Sequence, residues 1–117
     1  MNGKDNIIEK LHGHPRFYEY LNRMASIHSA KNHDYAKIDD PLSNLKLTEV
    51  MGWVPGWQSV IVRLGDKLCR LVNFAKKGEF KVKNESFIDT CIDLANYAIL
   101  CAILFEEHKT QSENDNK

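Results

Sequence analysis

The sequence has no excess of charge of either sign, since sixteen lysine and arginine residues balance sixteen aspartate and glutamate residues among 117. Such a chain has no global field that would draw it to DNA, RNA or an anionic membrane. Long apolar runs are also missing: the N-terminal MNGKDNIIEKLHGHPRF carries no signal-peptide core, and YAILCAILF is too short to span a bilayer. We therefore expect a cytoplasmic protein that binds neither a membrane nor, directly, a nucleic acid.

Cysteines are few, and β-strand patterns are nearly absent. Three cysteines, an odd number, occur without CxxC spacing and in apolar helical contexts. This argues against a disulfide framework and for small core residues in a reducing compartment. Only FKVK alternates like a strand, and it has no partner. The near-absence of strand patterns favours an all-α protein.

Helical periodicity occupies most of the chain. Long helices are predicted over residues 16–32, over VPGWQSVIVRLGDKLCRLVNFAKKG, and from about Asn84 to about His108, with LSNLKLTEVMG as a short helix. NHDYAKIDDP is predicted as a loop and EFKVK as a connector. The sequence thus predicts one domain over residues 1–117, an all-α bundle of three main helices plus one or two short ones, with a polar tail from about residue 109. Because the last helix is apolar all round, we expect dimerisation to complete the core.

The last helix also carries a polar stripe on a face that should point inward. Glu85, Asp89, Asp93 and Asn96 fall within one quarter of this helix. A buried carboxylate needs a cation or a metal ion to compensate its charge. The preceding helix offers a matching stripe at i, i+3, i+4 and i+7, which consists of Arg63, Asp66, Lys67 and Arg70.

Two interpretations of these stripes stay open. In the first, cations and acids form an interhelical salt-bridge network that is purely structural. In the second, Asp89, Asp93 and Asp66 bind Mg²⁺, and the neighbouring lysine and arginine side chains hold the phosphates of a substrate. Helical bundles build divalent-metal sites from acids on facing helices, so the residues alone do not decide between a structural network and a site.

Four motifs, in this order, resemble the nucleotide-modification-associated domain family of the first type, a small phage and bacterial family. They are KNHDYA, DPLSNL, VRLGDKLCRL and ESFIDTCIDLANYAIL, and the resemblance covers roughly residues 20–105. It implies kinship with the MazG-like all-α nucleoside triphosphate pyrophosphohydrolases. Those enzymes are Mg²⁺-dependent, act on nucleoside triphosphates and usually assemble as dimers or larger assemblies. The resemblance therefore implies a role in phage or bacterial nucleotide metabolism or DNA base modification.

The chain departs from the metal motifs of those enzymes. They hold Mg²⁺ with ExxE on one helix and ExxD on the next, whereas RLGDKLCR offers only Asp66, and Asp89 and Asp93 are four residues apart. Asp34 or Glu49 would have to complete the cluster. The alternative function is a non-catalytic nucleotide-binding or protein-interaction module with a structural salt-bridge network.

The resulting hypothesis is a nucleotide pocket between the two acidic and basic stripes, roofed by NHDYA. Metal ligands would be the carboxylates of Asp89, Asp93 and Asp66. The catalytic candidates are His33, Asp34, Asp66, Lys67 and Arg70, with a carboxylate or His33 orienting the attacking water. The substrate-binding candidates are Lys31, Tyr35, Asn44, Arg63 and Asn96. Expected partners are a nucleotide or nucleoside triphosphate and a second copy of the chain.

Overall fold

The computed structural model of the chain describes residues 11–35, 42–80 and 86–115. Within these ranges all regular structure is helical. In chain order it comprises α1 (Pro15–Tyr35), a 3-10 turn (Ser43–Lys46), α2 (Leu47–Val50), α3 (Gly56–Lys77) and α4 (Phe87–Asp115). The predicted all-α class, with three long helices and short helical pieces between them, is confirmed for the described residues.

Helices α3 and α4 form an antiparallel hairpin that contains most of the core. Trp57 near the start of α3 meets Phe105 in α4 with ring centroids 5.3 Å apart, while Phe74 near its end meets Phe87 at 5.0 Å. Val60 is fully buried at the centre of the cluster. Leu42 and Leu45 of the turn segment and Leu104 of α4 complete this cluster.

Two glycines set the limits of α3. Gly56 begins the helix so close to the turn that an added Cβ would lie 2.7 Å from the Leu45 carbonyl oxygen. Its N–H donates to Oε1 of Glu49 at 2.7 Å, so Glu49 compensates the positive N-terminus of α3. Gly78 ends the helix with φ of 77°, and its N–H bonds to the Phe74 carbonyl, as the sequence predicted.

Helix α1 lies against the side of α4 and is joined to it mainly at one crossing. Met24 of α1 and Ile92 of α4 are buried there. On one side of the crossing lies an apolar cleft beside Phe17 and Ile88, and on the other a second cleft beside Ile103. Polar side chains also join α1 to α4, through Arg23 to Asp89, Lys31 to Asp93 and Asn96 to the Met24 carbonyl.

Among the described residues, helix boundaries differ from the prediction at two places. α1 continues to Tyr35, through the first residues of the predicted loop, because Pro41 disfavours helix only at the residue before it. α4 continues to Asp115, since no proline or glycine interrupts its polar end. The Ser86 hydroxyl caps the start of α4 by accepting the Asp89 N–H at 2.9 Å. Asn84, the cap that the sequence indicates, lies outside the described residues. Residues 36–41 and 81–85, which hold most of the predicted loop and connector, lie outside the described residues.

By length and composition, α4 is also apolar enough to cross a membrane. It has an 18-residue window with a mean hydropathy of 1.7, of which 17% is buried within the chain. Most of this apolar window is therefore not covered by the chain itself.

Candidate ligand-binding site

A polar pocket lies where the C-terminal half of α1 approaches the α3–α4 hairpin. Its cavity has a volume of about 290 Å³, close to the lower end of the roughly 300–1,000 Å³ that is usual for ligand pockets. The lining combines two cations, one carboxylate, three amides and aliphatic groups. These residues are His28, Lys31, Asn32, Leu42, Asn44, Leu45, Arg63, Asp93, Asn96, Tyr97 and Leu100.

Asp93 is the acidic centre of this pocket and is shared by two lysines. Lys31 of α1 donates to its Oδ1 at 3.2 Å, and the Lys67 ammonium of α3 lies 3.4 Å from its Oδ2. The side chains of Asp93 and Lys67 are only about a quarter exposed, while Lys31 is half exposed. The inward carboxylate on α4 is therefore compensated by cations from two different helices.

Arg63 is the second cation in the lining, and its partner among the described residues is neutral. Its Nη1 donates to the Tyr97 hydroxyl at 3.3 Å, and its guanidinium lies 5.7 Å from the centre of the Tyr97 ring. An arginine with five N–H donors keeps further donors for another acceptor after making one such bond. Arg63 can thus hold an anion without first giving up a carboxylate.

The polar lining continues with amides on three elements. Asn96 of α4 donates from Nδ2 to the Met24 carbonyl at 3.4 Å, a contact that also links α4 to α1. Asn32 lies on α1 and Asn44 in the turn segment. Amide side chains both donate and accept hydrogen bonds, so this lining suits a ligand with a mixed pattern such as a base edge or a sugar.

Asp89 lies one turn before Asp93 but points to a different partner. Its Oδ1 accepts from Arg23 of α1 at 2.9 Å, and both side chains are about half exposed. Asp89 is not part of the pocket lining. The two acids that the sequence placed on one stripe therefore have separate cationic partners, Arg23 for Asp89 and the two lysines for Asp93.

Five of the predicted site residues line the pocket together. They are Lys31, Asn44, Arg63, Asp93 and Asn96. Lys67 adjoins it through Asp93. For the substrate-binding set, this places four of the five predicted side chains around one cavity.

Four of the remaining candidates lie elsewhere, while the side chain of Tyr35 is outside the described part of the chain. Asp66 is exposed on α3 and does not line the pocket. The Arg70 guanidinium lies 5.4 Å from the Phe80 ring centre. His33 and Asp34 are exposed and form a contact of 3.5 Å with each other. Tyr35 is the last residue of α1. NHDYA therefore does not form the predicted roof as a loop, because Asn32 to Tyr35 continue the helix.

The described carboxylates do not fit a resident Mg²⁺ ion. In the three described ranges, no group of three or more histidine, cysteine, aspartate or glutamate side chains could hold a metal. Asp89 and Asp93 are each engaged by a cation, and Glu49 caps α3. A divalent ion would have to displace ammonium or guanidinium groups to reach them. Glu85 lies outside the described residues.

Three contributors were not among the candidates from the sequence. Tyr97 follows Asp93 at i+4 and could have been found from that spacing, because such residues lie on one helix face. Arg23 precedes Lys31 by eight residues, about two turns, which would have indicated α1 as a source of cations. Asn32, which lines the pocket, was indicated only as part of the NHDYA segment and not as a separate binding residue.

Comparisons with protein-family models, with curated proteins and with solved structures find no match in any of the three. The resemblance to the nucleotide-modification-associated family therefore rests on the motifs in the sequence alone.

Proposed function

We propose that this protein binds a nucleotide in the pocket between α1 and the α3–α4 hairpin. The observation that carries the proposal is the local charge. Among the described residues, Lys31 and Arg63, which line the pocket, and Lys67, which adjoins it, surround one carboxylate, that of Asp93. Three positive charges and one negative charge leave a net charge of +2. A phosphate monoester carries about −1.5 to −2 at neutral pH and would balance it.

The ion pairs around Asp93 allow a phosphate to enter at low cost. If Lys31 turns from Asp93 to the phosphate, Lys67 still compensates the carboxylate. The pair that opens is half exposed on the lysine side, and such pairs contribute only about 0–1 kcal/mol. Arg63 would add a planar, charged donor, which is the preferred geometry for phosphate oxygens.

The rest of the pocket favours a nucleotide over a free phosphate ion. Leu42, Leu45 and Leu100 supply apolar walls, against which a base or sugar would bury its surface. Asn44 and Asn96 offer donors and acceptors at the same cavity. An inorganic phosphate would use the cations but leave these walls without a partner. The pocket therefore supports a ligand with an anionic end and a flat or sugar-like body.

The proposal stops at binding and does not extend to hydrolysis. The resemblance implies a Mg²⁺-dependent pyrophosphohydrolase, but the described carboxylates provide no metal cluster for that reaction. The acids are instead part of the ion-pair network that joins α1 to the hairpin. We therefore favour a non-catalytic nucleotide-binding module over a hydrolase. A MazG-like arrangement of the helices and a homodimer belong to the same proposal.

Isothermal titration calorimetry tests this function directly. Nucleoside mono-, di- and triphosphates of each base would be titrated into the protein with and without Mg²⁺, beside inorganic phosphate. We expect saturable binding of at least one nucleotide and much weaker binding of inorganic phosphate. Parallel assays for released phosphate and pyrophosphate should show no turnover. Turnover that depends on Mg²⁺ would contradict the restriction to binding.

A further inference from the structure

The polar pocket is continuous with one of the two apolar clefts beside α1. Three residues, His28, Asn96 and Leu100, line both the pocket and the cleft beside Ile103. The cleft beside Phe17 shares no lining residue with the pocket. We call the first of these the Ile103 cleft; it has a volume of about 220 Å³. The rest of its described lining is apolar and consists of Leu21, Met24, Ala25, Ile99 and Ile103.

The Ile103 cleft has a buried floor and an exposed rim. Met24 is buried between α1 and α4, and Leu100 packs against the central core cluster. Leu21, Ile99 and Ile103 are 41%, 51% and 39% exposed. A flat ring between them removes these apolar side chains from water, which is favourable. The thioether of Met24 also suits an aromatic ring, because sulfur packs favourably against such rings.

The polar side chains of the cleft lie where it meets the pocket. Among its described lining residues, His28 and Asn96 alone carry polar side chains, and both also line the pocket. The neutral imidazole of His28 has one donor and one acceptor nitrogen. Asn96 donates one N–H to the Met24 carbonyl at 3.4 Å, and its amide has a second N–H and a carbonyl oxygen. The boundary therefore suits the polar middle of a ligand whose far end is apolar.

The pocket and the cleft follow the same side of α4. Asp93, which both lysines contact, lines the pocket, and Ile103 lines the cleft. At 1.5 Å per residue these two positions are about 15 Å apart along the helix axis. A ligand that reaches both regions is therefore extended, with its anionic end at Lys31 and Arg63 and its apolar end beside Ile103.

We propose that the Ile103 cleft is the base subsite of the nucleotide site and that it favours purines. The inference rests on the proposed nucleotide binding and deepens it. With the phosphate at Lys31 and Arg63, the sugar lies near His28 and Asn96, and the base lies between the apolar walls. A purine has two fused rings and buries more apolar surface than the single ring of a pyrimidine. Because the rim is exposed, the outer edge of the base stays in water, and adenine and guanine should bind alike.

Calorimetry with a variant that fills the cleft tests the base subsite. The wild type should bind the monophosphates of adenosine and guanosine about tenfold more tightly than those of cytidine and uridine. Ala25→Phe places a ring in the cleft from an exposed position on α1, so it should remove this preference by weakening purine binding. Ala30→Phe is the matched control and should keep it, since Ala30 is also exposed on α1 and lines neither cavity. If Ala25→Phe loses helical circular dichroism, Ile99→Gln makes the same test from α4.

Ribose 5-phosphate separates this inference from the proposed function. It carries the sugar and the phosphate without a base, so it should bind the wild type and Ala25→Phe equally. Failure of every nucleotide to bind the wild type would overturn the proposed function together with the subsite. Nucleotide binding without a purine preference, or with the same purine affinity in Ala25→Phe, would overturn the subsite alone. If Ala25→Phe instead changed the mass seen in sedimentation velocity and left purine affinity unchanged, the cleft would belong to a second copy of the chain.

Discussion

Lys31 in α1 and Asp93 in α4, 62 residues apart in sequence, form an ion pair in which Nζ lies 3.2 Å from Oδ1. The pair lies at the edge of the polar pocket, and Lys67 contacts the other oxygen of the same carboxylate. One acid thus links α1, α3 and α4. Because α1 has few apolar contacts with the hairpin, this carboxylate both positions α1 and sets the charge of the pocket.

Replacing Asp93 with Asn should lower stability. The change removes the acceptor charge for two lysines, of which Lys67 is about three-quarters buried. Leaving a partly buried cation without its counterion costs about 1–3 kcal/mol. Urea denaturation followed by circular dichroism measures the free energy of unfolding. Asp89→Asn is the matched control, because its pair with Arg23 is about half exposed and should cost under about 1 kcal/mol.

The double variant Asp89→Asn, Asp93→Asn separates the network from a metal site. A metal site would leave two like charges one turn apart in the ion-free protein, so removing both would stabilise it or change nothing. The ion pairs seen here predict a less stable double variant instead. They also predict that the melting temperature of the wild type does not respond to millimolar Mg²⁺ or Mn²⁺. Stabilisation by either ion that the double variant loses would support the metal site.

Much of this architecture could be predicted from the sequence, as could Lys67 as a cation opposite Asp93, whereas the ion-pair partners on α1 could not. The 3.6-residue periodicity predicts α1, α3 and α4, and Gly78 predicts the end of α3, because these features depend on local backbone preferences. The partners of Asp89 and Asp93 depend on where α1 crosses the hairpin. Spacing within α3 pointed to Arg63 and Arg70, whereas Arg23 and Lys31 arrive from a helix far away in sequence.

The residues predicted for the pocket also divide into those that line it and those that do not. Lys31, Asn44 and Arg63 were predicted from their residue types and meet at one cavity. Asp66 has a suitable side chain as well but lies on an exposed part of α3. Periodicity gives the face of a residue within its own helix, yet the rotation of that helix against its neighbours is decided by packing of the whole core. For this reason the polar stripe was predictable, and the separate cationic partners of Asp89 and Asp93 were not.

Gly56→Ala should destabilise the junction between the turn segment and α3. The new methyl group would lie 2.7 Å from the Leu45 carbonyl oxygen, which is backbone and moves only with the turn. Overpacking of this kind costs about 1–3 kcal/mol. The free energy of unfolding from urea titration measures the effect. Gln58→Ala, an exposed position in the same helical turn, should stay within about 0.5 kcal/mol; equal stability of the two variants would contradict the close approach.

Nucleotide binding should weaken as salt is raised. The proposed contacts are charged and open to solvent at Lys31, which is half exposed, so added ions screen them. We expect the dissociation constant from calorimetry to rise steadily between low and near-molar sodium chloride. Arg70→Gln, which changes a cation that does not line the pocket, should keep both the affinity and the salt dependence. A dissociation constant that does not change with salt concentration would indicate binding through the apolar walls alone.

The proposed nucleotide site depends most on Lys31 and Arg63, the two groups that would hold the phosphate. Calorimetric titration of the best-binding nucleotide into the wild type and into the double variant Lys31→Gln, Arg63→Gln tests this claim directly. Each charged hydrogen bond contributes about 1.5–3 kcal/mol, so the variant should lose at least about a hundredfold in affinity while its helical circular dichroism is unchanged. A variant that folds and binds the nucleotide as tightly as the wild type would contradict the proposed site.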